Sequence, residues 1–285
     1  MNFPFPPQQT YSLNGITLSC LAWTEGQSPL LCLHGLGDQS RVWGSLGNEL
    51  ADQYQILAPD LRGHGDSSKP PTGYLFADYV ADLRALLAIK QWTKVSVVAH
   101  SWAAKLVCLW ATQEPQRFEK IVLVDPFFIG TIPPFLKVTY PLLYRVLSFL
   151  KLSQSFASFE EIQAMAKQLP EFQGWSELQR AVFLGNVEER GDRTWSSKFS
   201  QQARDEVFSE CMTVPGLTQL LAIPTLLIKS TQGVNRSEWQ LKPYRQYLHP
   251  LEIQTIKGNH WAFLTNPIDF NQRVRQFLES PLGQG

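Results

Sequence analysis

Short apolar runs alternate with amphipathic stretches through the first 125 residues of the chain. Tyr11 to Asn14 and Ile16 to Trp23 bracket Gly15, which predicts a β-hairpin. Leu30-Leu31-Cys32-Leu33 is a continuous apolar strand, followed by Trp43, Leu46 and Leu50 at helical spacing. Gln55 to Ala58 predicts another strand, and Phe76, Val80, Leu83 and Leu87 mark one face of a helix. Val95 to Val98 is a β-branched run broken only by Ser96, and Ile121 to Val124 is fully apolar, so both faces of those strands are expected to be buried. Between them, Trp102 to Ala111 is apolar nearly all round except for Lys105, the pattern of a helix lying under the sheet. The alternation predicts a mostly parallel, twisted α/β sheet with helices on both faces.

From Phe127 to Pro215 the alternation stops. No strand pattern stands out there, only helical and irregular segments punctuated by Pro133, Pro134, Pro141, Pro170 and Gly174. Strands resume at Thr225 to Ile228 and Leu251 to Ile256. A closing helix carries Phe270, Val274 and Phe277 on one face, with Asn266 placed to cap it and Pro267 at its first position. The expected organisation is a core of residues 1–126 and 216–285 with a helical insertion at 127–215.

Composition narrows the function classes. With 25 basic and 25 acidic residues, nothing recommends nucleic acid as a partner. Cys20, Cys32, Cys108 and Cys211 lie far apart with no metal-ligand or redox spacing, and no His/Cys cluster points to a metal or other cofactor. The first residues, Met1 to Pro7, lack a basic segment followed by a long apolar one, so no secretory leader is expected and a cytoplasmic location is the simplest expectation.

Chemistry concentrates at Val95-Ser96-Val97-Val98-Ala99-His100-Ser101-Trp102-Ala103-Ala104. A strand runs straight into a helix, and Ser101 stands at the junction between the small residues Ala99 and Ala103. Small neighbours permit a sharp turn that exposes a serine hydroxyl near the free amides of a helix start. Alone, the pattern leaves Ser101 as either a nucleophile or a turn residue.

Other segments extend the pattern: His34-Gly35-Leu36-Gly37, Asp60-Leu61-Arg62-Gly63-His64-Gly65-Asp66-Ser67 and Gly258-Asn259-His260-Trp261, each just past a predicted strand. In this order and with Ala99-His100-Ser101-Trp102-Ala103, they resemble the α/β-hydrolase family over nearly the whole chain. The resemblance implies Ser101 as nucleophile, His260 as general base, and the amides of Leu36 and Trp102 as an oxyanion hole. It makes the insertion a cap and places His34, Gly35, Phe128 and Trp261 at the substrate. The family's usual acid follows the first strand after the cap, but here that loop, Lys229 to Arg236, has no carboxylate. The family's other placement, one strand earlier, is filled by Asp125. Failing Asp125, a polar orienter such as Ser230 would remain.

The insertion is rich in aromatics: Phe127, Phe128, Phe135, Tyr140, Tyr144, Phe149, Phe156 and Phe159, then Trp175, Phe183, Trp195 and Phe199. That surplus points to an apolar pocket and makes the cap a candidate for membrane-surface contact. The resemblance therefore implies a serine esterase, lipase-like, acting on a small apolar or ring-bearing ester through an acyl-enzyme. Its alternatives are C–C bond hydrolysis or lyase chemistry by the same three residues, and a non-catalytic receptor or scaffold. Epoxide and haloalkane hydrolysis are not expected, because relatives that perform them carry Asp at the position of Ser101.

Overall fold

The computed structural model describes residues 3–132 and 148–281. Strands β1 (Gln8–Leu13), β2 (Ile16–Trp23), β3 (Ser28–Leu33), β4 (Tyr54–Pro59), β5 (Val95–His100), β6 (Phe118–Val124), β9 (Thr225–Gln232) and β10 (Leu251–Asn259) form one eight-stranded sheet in the order β1-β2-β4-β3-β5-β6-β9-β10. The β1–β2 and β2–β4 pairs are antiparallel, and every other pair is parallel.

The uninterrupted apolar strands work because alternate residues feed two separate cores. Leu31, Leu33, Val97, Ala99, Ile121, Leu123 and Leu227 face one core, which holds helices α2 (Phe76–Ile89), α3 (Trp102–Gln113) and α7 (Glu238–Tyr247). Leu30, Cys32, Val98, Val122, Val124, Leu226 and Ile228 face the other, which holds α1 (Gly44–Leu50), the short α8 (Ala262–Thr265) and α9 (Pro267–Glu279). Asn266 occupies the N-cap of α9, yet its side chain donates to the Lys257 carbonyl (3.0 Å) and makes no capping bond. No helix among the described residues is long and apolar enough to cross a membrane. All four cysteines are buried and unbridged.

Between β6 and β9 lie α4 (Phe159–Ala166), α5 (Glu177–Asn186) and α6 (Gln201–Thr213). The same segment contains a small hairpin of β7 (Val187–Glu189) and β8 (Trp195–Ser197), which corrects the strand-free expectation for this region. Phe135, Tyr140 and Tyr144 lie outside the described residues, as does the side chain of Phe149. The segment sits across the carboxyl ends of the sheet strands, tied to the loops there. Gln39 donates to the Val182 carbonyl (3.0 Å), Asn186 to Gly37 (3.0 Å), Ser200 to Gly63 (2.8 Å) and Asn259 to Pro170 (2.7 Å). Lys105, fully buried in α3, fastens both ends of the segment through the carbonyls of Gly130 (2.6 Å) and Cys211 (2.5 Å).

Candidate active site

β5 ends at His100 and α3 begins at Trp102, leaving Ser101 as the single residue of the turn. Its backbone lies at φ 58° and ψ −120°, a region L-residues rarely enter. The surroundings hold it there. The Ser101 amide donates to the Val124 carbonyl (3.0 Å), and its own carbonyl accepts from Phe127 (3.0 Å) and Ala104 (3.2 Å). Ala99 and Ala103 are fully buried at this tight contact.

Asp125 follows β6 and is also at positive φ, 38°, with its amide bonded to the Ile228 carbonyl (2.7 Å). Its buried carboxylate reaches across β9 to the loop after β10: Oδ2 accepts from His260 Nδ1 at 2.6 Å. The Val234 amide donates to Oδ2 (2.9 Å) and Asn235 Nδ2 to Oδ1 (3.1 Å). Burial pushes this carboxyl up, but the His260 hydrogen bond and charge, with the Val234 and Asn235 donors, outweigh it. The Asp125 pKa therefore lies below the ordinary aspartate value. The loop that lacks a carboxylate thus supplies two donors to one from the neighbouring strand. Neither Val234 nor Asn235 is foreseen from the sequence, where an acid-free loop with an Asn was the available signal. Ser230 Oγ is buried and makes no described hydrogen bond, so it does not orient His260.

Of the five histidines, His260 alone combines partial exposure with a carboxylate partner. His34 is fully buried. The Leu61 amide donates to its Nε2 (2.9 Å), so Nδ1 carries the proton and donates to the Gly35 carbonyl (2.8 Å). With both nitrogens engaged, His34 braces the loop and is not a substrate contact. Burial also holds the His64 pKa well below its ordinary value. None of the described hydrogen bonds uses the amides of Leu36 or Trp102 as a donor. Gly35 is packed so closely that a Cβ would come within 2.6 Å of His100 Nδ1.

The remaining candidates are placed differently from expectation. The Trp102 ring is buried against Tyr79 (4.9 Å between centroids) and Phe76 (6.1 Å), so it belongs to the core. Trp261 is also buried, and its indole N–H donates to Asp38 Oδ2 (3.1 Å), pinning the His260 loop to the one after β3. Phe128 lines a cavity of about 310 Å³ with Phe127, Val234, Asn235, Trp239 and Tyr244, behind Asp125. Trp175 packs on Phe183 (5.4 Å) and Trp195 on Phe159 (5.0 Å), and all four join or pack against the core that holds α1 and α9.

Glu171 of that segment is buried, and its Oε2 has no partner among the described residues. Burial, aided by the charge of Asp38, pushes its carboxyl up to about 8. The unfolded chain releases this proton near 4.5 while the folded chain keeps it, so stability falls as pH rises between those values. Relative to Glu171→Gln, the wild type is expected to lose on the order of 3 kcal/mol between pH 5 and 7.5, a difference that cancels the opposing contribution of the buried histidines shared by both proteins. Urea unfolding of both proteins at the two pH values checks this; the same pH dependence in both would refute it.

Comparison with known proteins bears on the whole arrangement. A family model described as alpha/beta hydrolase fold matches residues 28–267. An uncharacterized protein of Mycobacterium tuberculosis is 37% identical over 101 residues, 35% of this chain and 30% of that relative. The chain therefore spans about a third of that relative's length. The sn-1-specific diacylglycerol lipase of Mus musculus is 26% identical over 260 residues, covering 87% of this chain and 80% of the lipase. The crystal structure of E-2-(acetamidomethylene)succinate hydrolase superposes with a TM-score of 0.80 at 22% identity, covering 96% of this chain and 99% of that one.

Proposed function

Because the chain belongs to the alpha/beta hydrolase fold family, we propose that it is a serine hydrolase cleaving a carboxylic ester with an apolar acyl or ring-bearing group. The observation that carries this is the 2.6 Å bond from His260 Nδ1 to the buried Asp125, on the same strand ends as the strained Ser101 turn. Asp125 accepts the hydrogen bond from Nδ1–H, which keeps that proton on Nδ1 and leaves His260 Nε2 as the basic nitrogen. Nε2 takes the Ser101 proton as Oγ attacks the carbonyl carbon, and the Leu36 and Trp102 amides receive the oxyanion. As the tetrahedral intermediate collapses, the imidazolium protonates the departing alkoxide. A water, deprotonated by the same nitrogen, then releases the acid from the acyl-enzyme and returns the proton to Ser101.

The segment between β6 and β9 acts as the cap over this site. The lipase relative supports an apolar acyl group over a sugar or phosphate. The expected result is that a fluorophosphonate labels the wild type at one equivalent, with hydrolysis of medium-chain aryl esters lost in proportion. Hydrolysis that survives full labelling, or a chain that turns over aryl esters without ever labelling, would exclude acyl-enzyme chemistry.

A further inference from the structure

His100, the residue before the nucleophile, lies outside the acid–base relay, yet it touches both the His260 loop and the loop after β3. Its ring is buried at the end of β5, 4.4 Å from the His260 ring and 4.7 Å, edge on, from Phe263. Nε2 lies 3.0 Å from the His260 backbone carbonyl, which can only accept, so Nε2 carries the proton. Nδ1 is then a bare lone pair, 3.5 Å from Asp38 Oδ2 and without a hydrogen bond. Its other neighbour is Gly35: a Cβ there would lie 2.6 Å from Nδ1 and 2.9 Å from Asp38 Oδ2. Asp38 in turn accepts from the indole of Trp261, beside the base.

We propose that His100 is a positioning residue, a spacer that sets His260 and the Gly35–Leu36 loop at the register Ser101 needs. It fixes the base through the bond to the His260 carbonyl, and the oxyanion loop through the Gly35 contact. Burial and the neighbouring His260 hold its own pKa down at about 4, so the ring stays neutral in the neutral range. It therefore adds no charge next to His260 when that residue becomes an imidazolium. The inference rests on the Ser101–His260–Asp125 assignment, in which misplacing the base by an ångström is costly.

The test uses the full chain, an aryl ester, and fluorophosphonate titration to express kcat per intact site. His100→Phe keeps the ring volume and deletes the donor, and His100→Gln keeps an N–H at similar reach. Per-site kcat is expected to fall about 30-fold in His100→Phe, with KM within about twofold. His100→Gln is expected to return to within about fivefold of wild type. A purely structural role would lower the fraction of titratable sites and leave per-site kcat unchanged. Should His100→Phe fail to fold, Gly35→Ala displaces the ring without deleting it and is expected to show the same per-site loss. Wild-type per-site kcat in His100→Phe or Gly35→Ala, or no recovery in His100→Gln, would overturn the proposal. Ser101→Ala run alongside separates the two levels. If it is inactive while His100→Phe works normally, only this inference falls; if it keeps wild-type turnover, the nucleophile assignment falls and this inference with it.

Discussion

Ser101→Ala is expected to lower kcat for aryl-ester hydrolysis by about four to six orders of magnitude, the cost of removing a nucleophile that acts as a unit with its base. The loss is chemical, because alanine keeps the backbone and removes only an oxygen from a turn whose hydrogen bonds are all made by the main chain. Stability is expected to stay within about 1 kcal/mol of wild type. Ser101→Gly is expected to be equally inactive and more stable by about 1 kcal/mol, since glycine adopts φ 58° without a Cβ penalty. Steady-state kinetics with chemical denaturation of the three proteins checks both halves. A Ser101→Gly protein no more stable than Ser101→Ala would mean that the turn stores no strain.

Asp125→Asn is expected to lower kcat by about three to four orders of magnitude with the fold retained. Oδ2 accepts from both His260 Nδ1 and the Val234 amide, and Oδ1 accepts from Asn235. An asparagine there must point an NH₂ at one of these donors. If it faces His260, Nδ1 becomes the acceptor and the proton moves to Nε2, which can then no longer take the Ser101 proton. If it faces Asn235, that side chain must give up its bond to the Pro126 carbonyl (2.8 Å) to turn round. The carboxylate also contributes stability that is present above the unfolded value of 3.8 and lost as pH falls through the lower folded value. The mutant is accordingly expected to lose less stability than the wild type on the acid side of that value. Stopped-time assays and acid titration of folding measure the two effects, and near-normal kcat in Asp125→Asn would remove Asp125 from the mechanism.

Much of this site is local in the sequence. Ser101 declares itself by a strand, two alanines and a helix start, and His260 by its place after the last strand. The sheet is legible for a related reason: strands buried on both faces need nearly continuous apolar runs, and Val95 to Val98, broken only by Ser96, and Ile121 to Val124 are such runs. What escapes depends on where side chains meet across the fold. The roles of Asn235, Val234 and His100 come from neighbours more than 60 residues away, as the separations of 109 to 160 residues in their hydrogen bonds show. The β7–β8 hairpin escapes because its three-residue strands contain Glu188, Glu189, Ser196 and Ser197, with no alternation to read. Trp175, Phe183 and Trp195 illustrate the converse: composition cannot separate an aromatic core from an aromatic pocket, and in this chain they are core.

The covalent intermediate itself offers the most direct test. Wild-type protein mixed with a medium-chain aryl ester and acid-quenched within the first turnover is to be digested and weighed by mass spectrometry. The mechanism predicts one acyl group on the peptide containing Ser101, formed with the burst of aryl alcohol and absent from Ser101→Ala. Full turnover with that peptide unmodified throughout, or with the acyl group on another residue, would contradict it.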